Sequence, residues 1–262
     1  MLNFIGLIFF TGLVWRHREA IADKLYIRSE KPSDKSLLEF NNEKLPIIND
    51  SLFLNGYNDT IDILFMGNSL TTHQVGVVEG FMEGQPRGMA ASTIENDYVH
   101  RLVMMLSERD KVNVRFSVSN IAEFERQFNL RPFPWSEKLA DAKVKQPDIL
   151  IVQIGENVST DVLRNNYEEF IREYVRLLER YPISQRIITL PFWMDIQKHD
   201  AITEVALRTR SRLADLSHLG HRNSDPRNFA KYYKEYSNPS VGEHPSDYGF
   251  EQIAKVIFTE IQ

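Results

Sequence analysis

The chain has 262 residues, 42% hydrophobic and 26% charged, which is enough apolar material for one large core and too much for a disordered tail. Its formal net charge is -5 and no long Lys/Arg block stands out, so the attraction expected of a nucleic-acid binder is missing and no nucleic-acid partner is expected. The absence of cysteine excludes disulfides, thiolate catalysis and cysteine-based zinc sites, and leaves the redox compartment open.

In chain order, residues 1–22 form a hydrophobic segment whose run from Leu2 to Trp15 falls short of the roughly 20 residues that cross a bilayer but matches a signal-peptide core. Ala20, Ile21 and Ala22 supply small residues at cleavage spacing. Arg16 and Arg18 follow the apolar run and no cation precedes it, which by the positive-inside rule places the downstream chain in the cytoplasm. The expectation is a signal or membrane anchor with an extracytoplasmic or membrane-associated protein; the alternatives are a cytoplasmic chain and an apolar helix packed on the domain. Residues 23–60 read as a polar linker, "RSEKPSDKS", and a short extended lead-in, "LPIINDSLFLNGYND".

From Ile61 to Gln262 strand-like and helix-like runs alternate. "IDILFMG", "VNVRFSV", "DILIVQIG" and "QRIITLPFW" are strands; "NDYVHRLVMMLSERD", "NNYEEFIREYVRLLERY", "ITEVALRTRSRLADLS" and "SDYGFEQIAKVIFTEIQ" carry helical periods. Parallel neighbours need crossover connections, which helices supply, so the alternation predicts an α/β domain with helices on both faces of a parallel sheet. Ile149 to Ile154 are nearly all apolar, as in a strand covered on both faces. Gly76, Gly80, Gly84 and Gly88 mark Val75 to Asn96 as a loop beside the site, either a lid or a surface excursion.

Ligand sites of open parallel sheets lie beyond the carboxyl ends of the strands. Three segments place polar residues there: Gly67-Asn68-Ser69, Gly155-Glu156-Asn157, and Gly242-Glu243-His244-Pro245-Ser246-Asp247 before the last helix. Acyl transfer needs a hydroxyl, an imidazole and oxyanion donors, and these segments hold one of each. Ser69 is expected to open a helix near Leu70, with positive helix-end charge beside its hydroxyl; the same position suits a plain N-cap serine. Asn157 fits an oxyanion donor or an Asx-turn.

Together these blocks resemble the SGNH hydrolases, also called the GDSL esterase/lipase superfamily. Gly67-Asn68-Ser69-Leu70 stands for the Gly-Asp-Ser-Leu block, Gly155-Glu156-Asn157 for Gly-x-Asn-Asp with Val158 in place of the Asp, and His244-Pro245 to Gly249 for His-Pro-x-x-x-Gly. The resemblance implies a three-layer α/β/α sandwich with a parallel, flavodoxin-like sheet (the SGNH hydrolase fold). It also implies Ser69 as nucleophile, His244 as base, and Asn157 with a backbone N–H at Ala122 as oxyanion donors; Glu123 is the rival for that last role. Asn68, His73, Glu156, Phe192 and Trp193 are expected to meet substrate, although His73 also reads as part of a solvated helix face and Phe192, Trp193 and Trp135 as core. The family's acid three residues before the histidine is replaced by Val241, so a Ser-His dyad is expected, its imidazole oriented by the Val241 carbonyl. Glu243 should point the other way, and Ser246 with Asp247 should cap the last helix.

The implied activity is removal of small acyl groups, acetyl foremost, from a carbohydrate, with an acylated glycan or other small ester as partner and no cofactor. A glycan O-acyltransferase and a catalytically decayed glycan-binding protein are the alternatives. His218 and His221 do not have the one-turn spacing that joins two ligands on a helix, and no metal is assigned.

Overall fold

Alternation of side chains in β-branched and aromatic runs builds the centre of the molecule. The computed structural model describes residues 47–262 except 55, 74–85, 131 and 183–184. The expected N-terminal apolar segment, most of the linker, and Gly76, Gly80 and Gly84 lie outside the described residues. No helix among the described residues is long and apolar enough to cross a membrane.

The strands are β1 (Ile48–Leu52), β2 (Thr60–Gly67), β3 (Asn113–Asn120), β4 (Ile149–Gln153), β5 (Gln185–Leu190) and β6 (Arg212–Asp215). Their order in the sheet is β1-β3-β2-β4-β5-β6. Strands β2 to β6 are parallel, and their order, renumbered from the first of them, is the flavodoxin-like 2-1-3-4-5. The helices are α1 (Tyr98–Asp110), α2 (Ala122–Gln127), α3 (Trp135–Lys138), α4 (Thr160–Asn165), α5 (Tyr167–Glu179), α6 (Ile196–Thr209), α7 (Pro239–Gly242) and α8 (Asp247–Thr259).

The period of two along β2 divides the core. Leu64 and Met66 join Phe124, Phe128, Trp135, Phe170, Ile202 and their neighbours under α2 to α6. Ile63 and Phe65 face the other way, to Leu102, Leu106, Phe250 and Ile253 of α1 and α8. Each layer buries a contiguous apolar cluster, so the three-layer α/β/α reading holds. Trp135 and Phe192 are both core residues, at 1% and 0% exposure.

Two expectations about the elements need correcting. The lead-in is a strand, and it runs antiparallel to β3, with Ile48 opposite Val118 and Leu52 opposite Val114, so the sheet is mixed at one edge. The stretch 202–217 is not one helix. Helix α6 ends at Thr209, Arg210 takes the left-handed conformation at φ 54°, and the chain returns as β6 beside β5. Left-handed C-caps are usually glycine or asparagine, so an arginine there gives no stop signal.

Candidate active site

The carboxyl end of β2 delivers Ser69. The expected helix does not follow; a single hydrogen-bonded turn does, with the N–H groups of Thr71 and Thr72 both donating to the Asn68 carbonyl at 3.0 Å. Gly67 permits this turn because a Cβ there would lie 1.8 Å from Thr71 Oγ1 and 2.8 Å from the Gln153 carbonyl oxygen. The turn is anchored to β3 as well: the Ile121 N–H donates to the Gly67 carbonyl at 2.6 Å, and Asn120 Nδ2 to the Thr72 carbonyl at 2.7 Å.

The histidine arrives from the other end of the chain. Ser69 Oγ and His244 Nε2 are 3.0 Å apart. His244 Nδ1 lies 2.9 Å from the Ser240 carbonyl oxygen. A carbonyl only accepts, so Nδ1 carries the proton and Nε2 presents its lone pair to the serine hydroxyl. The orienting group is therefore Ser240, one helical turn back, and not Val241, whose carbonyl accepts the His244 backbone N–H at 3.0 Å. Glu243 points away and pairs with Lys231 at 2.7 Å. Among the described residues no carboxylate is bonded to the ring, which is the arrangement expected of a dyad.

Local packing holds this segment. Ser246 caps α8 by accepting from the Gly249 N–H at 3.0 Å, as expected. Gly249 is required by close approach, since a Cβ there would sit 2.2 Å from the Asn228 carbonyl oxygen, which also accepts the Ser246 N–H at 2.8 Å. Trp193 is half-buried, edge-on to the imidazole with ring centroids 5.3 Å apart. Burial pushes the His244 pKa down from 6.5 to about 4; the Ser240 hydrogen bond works the other way, and the charge of His73 adds to the depression. The imidazole is thus neutral across the physiological range.

The remaining predicted residues divide. Asn157, after β4, donates through Nδ2 to Glu125 Oε2 at 2.8 Å and through its backbone to Glu125 Oε1 at 3.2 Å. The Ala122 N–H is occupied by Asn120 Oδ1 at 3.0 Å, so it is not a free oxyanion donor. Asn68 is fully buried: Oδ1 accepts from the Leu70 N–H, and Nδ2 donates to Glu156 Oε2 at 2.6 Å. Glu156 is likewise a structural clamp, its Oε1 accepting from the Phe192 N–H at 2.9 Å. Phe192 is buried core. His73 is not on a solvated helix face; it is 9% exposed and forms a bridge with Arg87, its N–H donating to the Arg87 carbonyl at 2.8 Å. His221 is exposed and accepts from the Asn223 N–H. No group of three His, Asp or Glu among the described residues could hold a metal ion.

One buried acid carries no sequence signal, and the loop 75–96 is left by the sequence between a lid and a surface excursion. Glu125, 1% exposed, gathers the loop after β4, yet in the sequence it is one of two acids in Ile121-Ala122-Glu123-Phe124-Glu125-Arg126 and nothing marks it out. The described part of the glycine-rich loop, 86–96, is a strap and not a simple surface excursion. Its Met89 N–H donates to the Ser69 carbonyl at 2.7 Å, and its Ser92 N–H donates to Asp247 Oδ1 at 2.8 Å, joining the serine turn to the histidine segment. Met89 and Ala90 also pack on Ala230 and Val241.

Solved structures are similar to this chain over most of its length. A GDSL-like lipase from Parabacteroides merdae matches with a TM-score of 0.51 and 16% identity, covering 78% of this chain and 97% of that one. A two-domain esterase active on acetylated mannans gives a TM-score of 0.50 and 16% identity, covering 77% of this chain and 49% of that one. No protein-family model and no curated protein matches the sequence. At these identities the likeness defines architecture: the chain has the α/β/α fold of the GDSL-like, or SGNH, hydrolases.

Proposed function

We propose that this protein is a serine esterase that removes small acyl groups, acetyl foremost, from a carbohydrate through an acyl-serine intermediate. The observation that carries the reading is the 3.0 Å contact between Ser69 Oγ and a neutral His244 whose tautomer is set by Ser240. In the first half-reaction Ser69 Oγ attacks the ester carbonyl carbon while His244 Nε2 takes the hydroxyl proton. The tetrahedral intermediate places negative charge on the former carbonyl oxygen. The Ser69 backbone N–H, which donates to no protein acceptor among the described residues, and the Asn157 carboxamide hold that charge. His244 returns the proton to the departing sugar hydroxyl. Water then repeats the sequence on the acyl-serine, releasing the carboxylic acid and restoring the hydroxyl.

The carbohydrate preference rests on the Gly-Asn-Ser and His-Pro-Ser-Asp blocks and on the acetylated mannans used by the two-domain esterase of like fold. Trp193, half-buried against His244, supplies an aromatic wall on which the apolar face of a sugar ring can rest. Incubation of the purified protein with acetylated mannan oligosaccharides is expected to release free acetate, and Ser69→Ala to release none. Equal, spontaneous rates in both proteins would overturn the reading. Acetyl appearing on an added sugar acceptor instead of in solution would replace hydrolysis with acyl transfer.

A further inference from the structure

We infer that Glu125 is the positioning residue of the oxyanion site: its buried carboxylate fixes the plane of the Asn157 carboxamide, so that one N–H of Asn157 is anchored and the other is reserved for the substrate oxygen. The inference rests on the esterase reading above. Glu125 lies on α2, which the helix packing places behind the loop that follows β4. Every hydrogen bond it makes there is accepted from an N–H. Oε1 takes the Gly155 N–H at 2.6 Å, the Asn157 N–H at 3.2 Å and Asn68 Nδ2 at 3.3 Å, and Oε2 takes Asn157 Nδ2 at 2.8 Å.

A carboxamide carries two N–H bonds in one plane, so anchoring one sets the direction of the other. Four donors suit an ionised carboxylate, because a proton on either oxygen would face a donor. Burial and the neighbouring Glu156 charge oppose ionisation and raise the Glu125 pKa, while the Asn157 and Gly155 bonds lower it. A buried acid held so close to another is a costly arrangement, tolerated only where its four N–H partners need an acceptor on both oxygens. It also places negative charge behind a site that must stabilise an oxyanion, so its value lies in geometry and not in field.

Those two effects have opposite signs and can be separated. Glu125→Gln keeps an oxygen for the Gly155 and Asn157 backbone donors but turns an NH2 group toward Asn157 Nδ2, donor against donor. It also removes the unfavourable charge. If positioning governs, kcat should fall roughly tenfold to a hundredfold with KM nearly unchanged, a part of what losing a whole oxyanion donor costs. In an Asn157→Ala background the same change should have less than about a twofold effect, since nothing is left to position. Wild-type kcat in Glu125→Gln, or an undiminished loss in the Asn157→Ala background, would overturn the inference. Should Glu125→Gln fail to fold by circular dichroism, Glu125→Asp carries the test: it keeps the charge but withdraws the carboxylate by one methylene, and unchanged kcat would again contradict positioning. Wild type and Ser69→Ala run in the same assay separate the two claims, because equal rates in those proteins sink the esterase reading itself, and with it this role.

Discussion

Ser69→Ala and His244→Ala are each expected to lower kcat/KM for p-nitrophenyl acetate by about four orders of magnitude, and the double variant to be no slower than either single one. The expectation follows from a shared event in the proposed mechanism: the proton leaves Ser69 Oγ only as it arrives at His244 Nε2, across the 3.0 Å contact, so removing either partner removes the whole step. Additive losses would mean that the two side chains act independently. The pH dependence should carry the same signature. His244 must be neutral to act, and burial holds its pKa to about 4 against 6.5 for a free imidazole, so kcat/KM should persist well below pH 6 and fall on an acid limb near pH 4. The sign for stability follows from linkage. The unfolded chain binds this proton first as the pH drops, so the His244 contribution to stability is present above pH 6.5 and is lost as the pH falls through about 4.

Gly67→Ala is expected to destabilise the fold by about 3 kcal/mol and to reduce kcat by at least a hundredfold. The new methyl would meet Thr71 Oγ1 at 1.8 Å and the Gln153 carbonyl oxygen at 2.8 Å. Neither can step aside cheaply. Thr71 Oγ1 is buried and bonded to Tyr98 Oη at 2.8 Å and Gln153 Oε1 at 3.1 Å, and the Gln153 carbonyl belongs to the backbone of β4. The turn must therefore rise off the sheet, taking Ser69 away from His244. Urea unfolding reads the first effect and steady-state kinetics the second; a wild-type midpoint with normal kcat would show that the turn is not held by this contact.

Most of the architecture was legible because the core is patterned. The runs 61–67, 148–155 and 185–193 are strand-like by composition and apolar continuity, and each coincides with a strand of the sheet to within a few residues. The losses came where local chemistry departs from its usual form. Helix α6 stops on Arg210 in a left-handed conformation, so β6 hid inside a helical period. The turn after Ser69 looked like a helix start because Asn-Ser-Leu-Thr-Thr satisfies a cap pattern, whereas Gly67 packing and the Asn120 bond to Thr72 hold a single turn instead.

The site was legible to a similar degree. The Ala122 N–H is taken by Asn120, whereas Ser69 and His244 do meet, and the carbonyl that orients the ring shifts by one residue, Ser240 for Val241. That shift reflects the helical turn Pro239–Gly242, which sends carbonyls toward residues four positions on. Asn68 and Glu156, expected at the substrate, bond to each other through Asn68 Nδ2 and Glu156 Oε2, a pairing between residues 88 positions apart that no local pattern reveals. Glu125 had no periodic or motif signal at all. A buried acid is visible only when its partners are brought to it from β4 and the serine turn.

The most direct measurement is the intact mass of the protein after reaction with a fluorophosphonate, followed by peptide mapping. One adduct per chain, on the peptide that contains Ser69 and absent in Ser69→Ala, is the predicted result. An unlabelled wild-type protein that releases no acetate, or a label carried by another residue, would contradict it.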